Sequence, residues 1–120
     1  MDLSVSDCIY MSNYIGDAID PYDQNTINRA FVKLQLPGII PSHTQILLST
    51  AQQIKVDPGM VGFIGLRSTW ARLGFISPQT VADPGFEGHL TLEVFNASSN
   101  PIIIRPGDVI FHIIYVPGVN

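Results

Sequence analysis

An all-β fold in a single domain spanning residues 1–120 is predicted from three observations. The chain's nine prolines and ten glycines are spread along it, recur from Pro21 onward, and leave little room for a long helix. Between them lie short runs rich in β-branched and aromatic residues. One turn signature, Asp-Pro-Gly-apolar-x-Gly, occurs at residues 57–62 and again at 83–88, with Arg105-Pro106-Gly107-Asp108 as a looser relative. Short strands punctuated in this way pack as a jelly roll or a related barrel-like sandwich.

In chain order, residues 3–13 read as a brief helix with Ser4 or Ser6 as its N-cap. Strands are expected at 31–36 (FVKLQL), 46–50 (ILLST) and 60–66 (MVGFIGL). A second short helix is expected at 68–73. Three more strands follow at 89–95 (HLTLEVF), 101–105 (PIIIR) and 109–116 (VIFHIIYV). In each Asp-Pro-Gly turn, Pro presets φ at the second position and Gly supplies a positive φ at the third, just ahead of a strand. Asp57 therefore reads as punctuation.

Composition narrows the function. The chain is 46% apolar and 13% charged, with a mean hydropathy of +0.26 and a net charge of −4. Too few charges remain to cover an outside, so copies of the chain are expected to cover part of its apolar surface. Six Lys and Arg make no stripe against a row of phosphates, which argues against polymeric nucleic acid and leaves room for one small phosphorylated ligand. Cys8 has no partner, and the absence of CxxC or a His/Cys cluster argues against a disulfide framework and a zinc site. A lone thiol fits a cytoplasmic setting. No apolar run approaches the ~18 residues of a membrane span, and residues 1–6 lack the features of a signal peptide.

Two places could carry chemistry. Glu93 faces away from Leu90, Leu92 and Val94, on the side of its strand shared with His89, Thr91 and Phe95. It is either an ordinary exposed residue or, if buried, a candidate acid or base. At 65–74 (GLRSTWARLG) a strand gives way to a helical turn carrying Arg67, Ser68, Thr69 and Arg72. That segment is either a capped helix with solvated arginines or a phosphate cradle. His43, His89 and His112 show no metal-ligand spacing, and His112 in an apolar strand calls for a hydrogen-bond partner. The GxSxG, GxGxxG and GxxxxGK[ST] signatures are absent.

Residues 65–74 (GLRSTWARLG), 83–96 (DPGFEGHLTLEVFN) and 104–110 (IRPGDVI) together resemble the dCTP deaminase branch of the dCTP deaminase and trimeric dUTPase superfamily. Weaker similarity at 54–62 and 19–37 extends the resemblance over most of the chain. It implies a distorted jelly roll, the dUTPase-like β-clip barrel, assembled as a homotrimer with active sites between subunits. It implies zinc-free deamination of dCTP, with Glu93 as general acid and base, Ser68 holding the attacking water and Arg72 orienting Glu93. Arg67, Ser68 and Thr69 would contact the phosphates, Asp83 the deoxyribose, and Mg2+ would accompany the triphosphate. In dUTPase-like variants Asp83 would instead position the hydrolytic water.

The sequence departs from the family pattern at four places. Lys33 stands where the first motif carries an Asp near the magnesium and phosphates. The loop at 75–82, which walls the base, is shorter, with Gln79 and Thr80 as candidate substitutes. His112 replaces a Gln, and the sequence stops at Asn120, short of the C-terminal arm that closes over the triphosphate in the family. Lack of closure predicts weak binding, slow turnover or a lid from elsewhere. The expectation is a compact, viral-type dCTP deaminase of the cytoplasm, or the host cytoplasm. The alternatives are a dUTPase or bifunctional enzyme, and a catalytically silent nucleotide-binding or regulatory trimer.

Overall fold

Twelve strands and two short helices follow one another through residues 1–118, which this computed structural model describes. The expectation about the C-terminal arm concerns positions outside the described residues.

The first element corrects the sequence reading. Residues expected to start a helix form strand β1 (Asp2–Ser12) instead. Leu3, Val5 and Ile9 are buried and fall on odd positions, a period of two that suits a strand and not a helix. Ser4 and Ser6 therefore cap nothing; Ser4 exchanges hydrogen bonds with the Gln52 side chain instead.

A helix the sequence reading missed, α1 (Gln24–Arg29), follows. Asp23 caps it, its Oδ1 accepting from Asn25 N at 3.0 Å. Then come β2 (Phe31–Gln35), β3 (Gly38–Ile40), β4 (Gln45–Thr50), β5 (Ile54–Lys55) and β6 (Met60–Leu66). Helix α2 (Ser68–Leu73) has the predicted bounds. The rest is strand: β7 (Phe75–Ile76), β8 (Thr80–Ala82), β9 (Glu87–Gly88), β10 (Thr91–Asn96), β11 (Ile102–Ile104) and β12 (Val109–Pro117).

The main sheet runs β7-β10-β4-β1-β12-β6-β8, with β2 also on β1. Every pairing is antiparallel. The outermost strands, β7 and β8, are consecutive in sequence and separated only by Ser77, Pro78 and Gln79. A three-residue link cannot span an open sheet of this width, so the sheet curls until its two edges meet. Two-stranded ribbons, β3–β11 and β5–β9, complete the jelly-roll-like half-barrel. Its inside is filled by alternate residues of the strands, among them Ile9, Ile46, Leu48, Ile64, Leu92, Val94 and Ile113.

All three Pro-Gly turns close as expected, with N–H to C=O bonds from Met60 to Asp57, Phe86 to Asp83 and Asp108 to Arg105. Gly85 and Gly107 have positive φ, at 83° and 82°. Gly59 does not, so the turn at Asp57 lacks the glycine conformation that the sequence predicted.

Candidate active site

Strand β10 delivers Glu93 by simple alternation. Leu92 and Val94 are buried, and Glu93 between them points outward and is half-buried. Its position lies between the two readings left open by the sequence. An open groove of about 600 Å³ lies beside it, lined by Gln45, Ile76, Ser77, Pro78, Glu93, Val94 and Phe95. One wall is the loop joining β7 to β8, the segment expected to enclose a base. Ser77 Oγ donates to the Glu93 carbonyl at 2.6 Å, which fastens that wall to β10. Neither Ser77 nor Gln45 was singled out from sequence: a hydroxyl that bonds a main-chain carbonyl leaves no motif.

The arginine segment is built separately. Strand β6 ends at Leu66, and Arg67 N donates to Ile110 O at 2.8 Å, which anchors the start of α2 to β12. Trp70 Nε1 adds a bond to Val109 O at 2.9 Å. Gly74, at φ 114°, ends the helix in the left-handed region. Arg67, Ser68, Thr69 and Arg72 are all exposed, and no side chain caps the helix start. Arg67 pairs with Asp2.

Among the described residues, no hydrogen bond or ion pair connects the Glu93 carboxylate to Arg67, Ser68, Thr69 or Arg72. One chain thus presents two half-sites, a carboxylate in a groove and an exposed cationic turn. Asp83 is exposed on its turn, and Gln79 Nε2 faces the carbonyls of Ile64 and Thr80 at 3.4 and 3.3 Å. Lys33 is exposed on β2 opposite Tyr10. His112 is half-buried and lies between Asp2 and Gly65 of its neighbouring strands. Partial exposure gives its ring access to water.

Ser42 and His43 do not make a nucleophile–base pair. Ser42 Oγ donates its hydrogen to Ser98 O, so its contact with His43 Nδ1 at 2.6 Å has the imidazole as donor, opposite to what a nucleophile and base require. Among the described residues, no three His, Cys, Asp or Glu side chains converge on a point where a metal ion could be held.

A family model described as dCTP deaminase-like matches residues 1–118. The chain belongs to that family. It is 35% identical over 117 residues to a protein of Pyrobaculum neutrophilum named dCTP deaminase, and 34% identical over 117 residues to one of Caldivirga maquilingensis with the same name. These alignments cover 97% and 95% of this chain but 66% and 65% of the relatives, so the chain spans about two thirds of their length.

Two solved structures share the fold. The dCTP deaminase-like chain superposes on the 2'-deoxycytidine 5'-triphosphate deaminase of Agrobacterium tumefaciens with a TM-score of 0.77 and 16% identity, over 98% of this chain and 37% of the other. The native dUTPase of EIAV matches with a TM-score of 0.61 and 17% identity, over 97% and 87%. The expected dUTPase-like jelly roll is therefore the observed one. No helix among the described residues is long and apolar enough to cross a membrane.

Proposed function

We propose that this chain hydrolyses dCTP to dUTP and ammonia, as a homotrimer whose active sites lie between subunits. The observation that carries the reading is Glu93, a carboxylate half-buried in a groove of ligand size, in a member of the dCTP deaminase-like family. Glu93 would take a proton from water as the oxygen attacks C4 of cytosine. It would pass that proton to the ring nitrogen N3, then take the second from the hydroxyl now on C4 and give it to the amino group, so that the C4–N bond breaks, a C4 carbonyl forms and ammonia leaves. Ser68 would hold the water, and Arg72 would orient Glu93 and favour its ionised form. Arg67, Ser68 and Thr69 would bind the phosphates, Asp83 the sugar, and Gln79 would stand by the base.

Separation of the two half-sites within one chain supports a shared site, with Arg72 brought to Glu93 by a neighbour. Exposed apolar rows support assembly as well. Ile114, Phe63 and Val81 line up across β12, β6 and β8, and Ile39 faces Ile103 across β3 and β11. Magnesium would arrive on the triphosphate as part of the substrate. A cytoplasmic location, or the host cytoplasm for a viral protein, fits a deoxynucleotide substrate and the free thiol of Cys8.

Incubation with dCTP and assay of ammonia tests this. Wild type should release ammonia and Glu93→Gln should not; silence of the first, or equal release by both, overturns the assignment. The exposed Asp83 carboxylate favours a second reading, dUTP hydrolysis alone or after deamination, for which pyrophosphate release from dUTP is the readout.

A further inference from the structure

We propose that Ser77 is a positioning residue for Glu93, its hydroxyl standing in for a ladder hydrogen bond that Pro78 cannot make. The proposal rests on the deamination reading and deepens it. Strand β7 pairs with β10 in a fixed register, Asn96 opposite Phe75 and Phe95 opposite Ile76. Main-chain groups on alternate residues of β10 face β7: Ala97 N donates to Gly74 O at 2.9 Å, and Phe95 pairs with Ile76. By the same alternation the Glu93 carbonyl faces that edge too. Continuing the register puts position 78 opposite Glu93, and Pro78 has no N–H to donate.

The Ser77 hydroxyl fills the gap at 2.6 Å. One bond therefore does two things. It ties down the main chain of the residue carrying the reactive carboxylate, and it holds the groove wall against β10. On the far side Gln79 reaches the Ile64 carbonyl of β6, so the loop is fastened at both sheet edges it connects. Because the ladders of β7 and β8 continue to carry the loop, loss of the hydroxyl should loosen Glu93 more than it loosens the binding of nucleotide.

The test is steady-state deamination of dCTP by the 120-residue chain carrying Ser77→Ala, Ser77→Cys or Ser77→Thr, with thermal unfolding and amide exchange measured alongside. Ser77→Ala should lose about tenfold in kcat while KM stays within about threefold and Tm within a few degrees. Ser77→Thr, which keeps a hydroxyl, should regain most of the rate. Ser77→Cys, nearly isosteric and a weaker donor, should fall between, and it keeps the test alive if the alanine variant does not fold. A kcat for Ser77→Ala within about twofold of wild type overturns the proposal, as does an equal fall in the threonine and alanine variants. If wild type releases no ammonia, the deamination reading fails by itself. The Ser77 bond is then judged by amide exchange at Gln79 and Thr80, which should quicken about tenfold in Ser77→Cys, and unchanged exchange overturns it.

Discussion

Trp70 and Phe75 stack across the turn that ends α2, with ring centroids 5.7 Å apart and planes 15° from parallel. Gly74 makes that stacking possible by turning the chain at φ 114°. A Cβ there would lie 2.6 Å from Ser98 Cβ and 3.0 Å from Ser98 Cα and N, main-chain atoms that cannot yield. Gly74→Ala is therefore expected to cost about 2 kcal/mol or more, seen as a Tm lower by roughly 8 °C.

Asn96 is fully buried, and its amide donates to the carbonyls of Ile40, Pro41 and Asn100 while its Oδ1 accepts from Ser98 N and Oγ. It holds the loops around β3 and β11 to the end of β10. Asn96→Ala removes the amide from the Ile40 and Pro41 carbonyls and leaves Asn100 O with only the Ser98 hydroxyl, and should cost about 3 kcal/mol or more, measured by urea unfolding. Asn96→Asp, which removes the donors and adds charge, should be at least as damaging.

A shared site predicts complementation. Glu93→Gln and Arg72→Ala should each be inactive alone. Unfolded together and refolded as mixed trimers, they should recover up to about a quarter of wild-type ammonia release, since about one interface in four then joins an intact Glu93 to an intact Arg72. No recovery would place both groups of each site on one chain.

The Asp2 carboxylate occupies Arg67, and both side chains are about half exposed. An exposed pair of this kind contributes about 1 kcal/mol or less. Asp2→Asn should barely move Tm, yet it frees a guanidinium assigned to the phosphates. Titration with dCTP should show tighter binding by the variant, the more so at low salt.

Glu93 was legible because alternation in a strand is a local property: Leu90, Leu92 and Val94 identify the inner face, and Glu93 must lie on the other. Helix α2 was legible because Gly74 marks its end. By contrast, β1 was misread since serines and Cys8 occupy its even positions and weaken the β signal of Leu3, Val5 and Ile9. Helix α1 was missed because its six residues, Gln24 to Arg29, include no buried one, so only the Asp23 cap announces it. Ser77 was invisible for a different reason. Its role depends on which residue of β10 faces Pro78, and that register is a tertiary fact.

Pairing of Asp2 with His112 has a consequence for how the chain reaches its folded form. Strand β1 sits at the middle of the sheet, yet one of its neighbours is β12, more than a hundred residues away. Closure of so long a loop precedes any gain from the contact, which places folding in the slow, millisecond-to-second range of β-rich topologies. Until β12 arrives, the opening stretch of β1 and the edge of β6 stay unpaired. During synthesis the growing chain therefore exposes sticky strand edges for most of its length, and a chaperone that shields them would raise the yield of native protein.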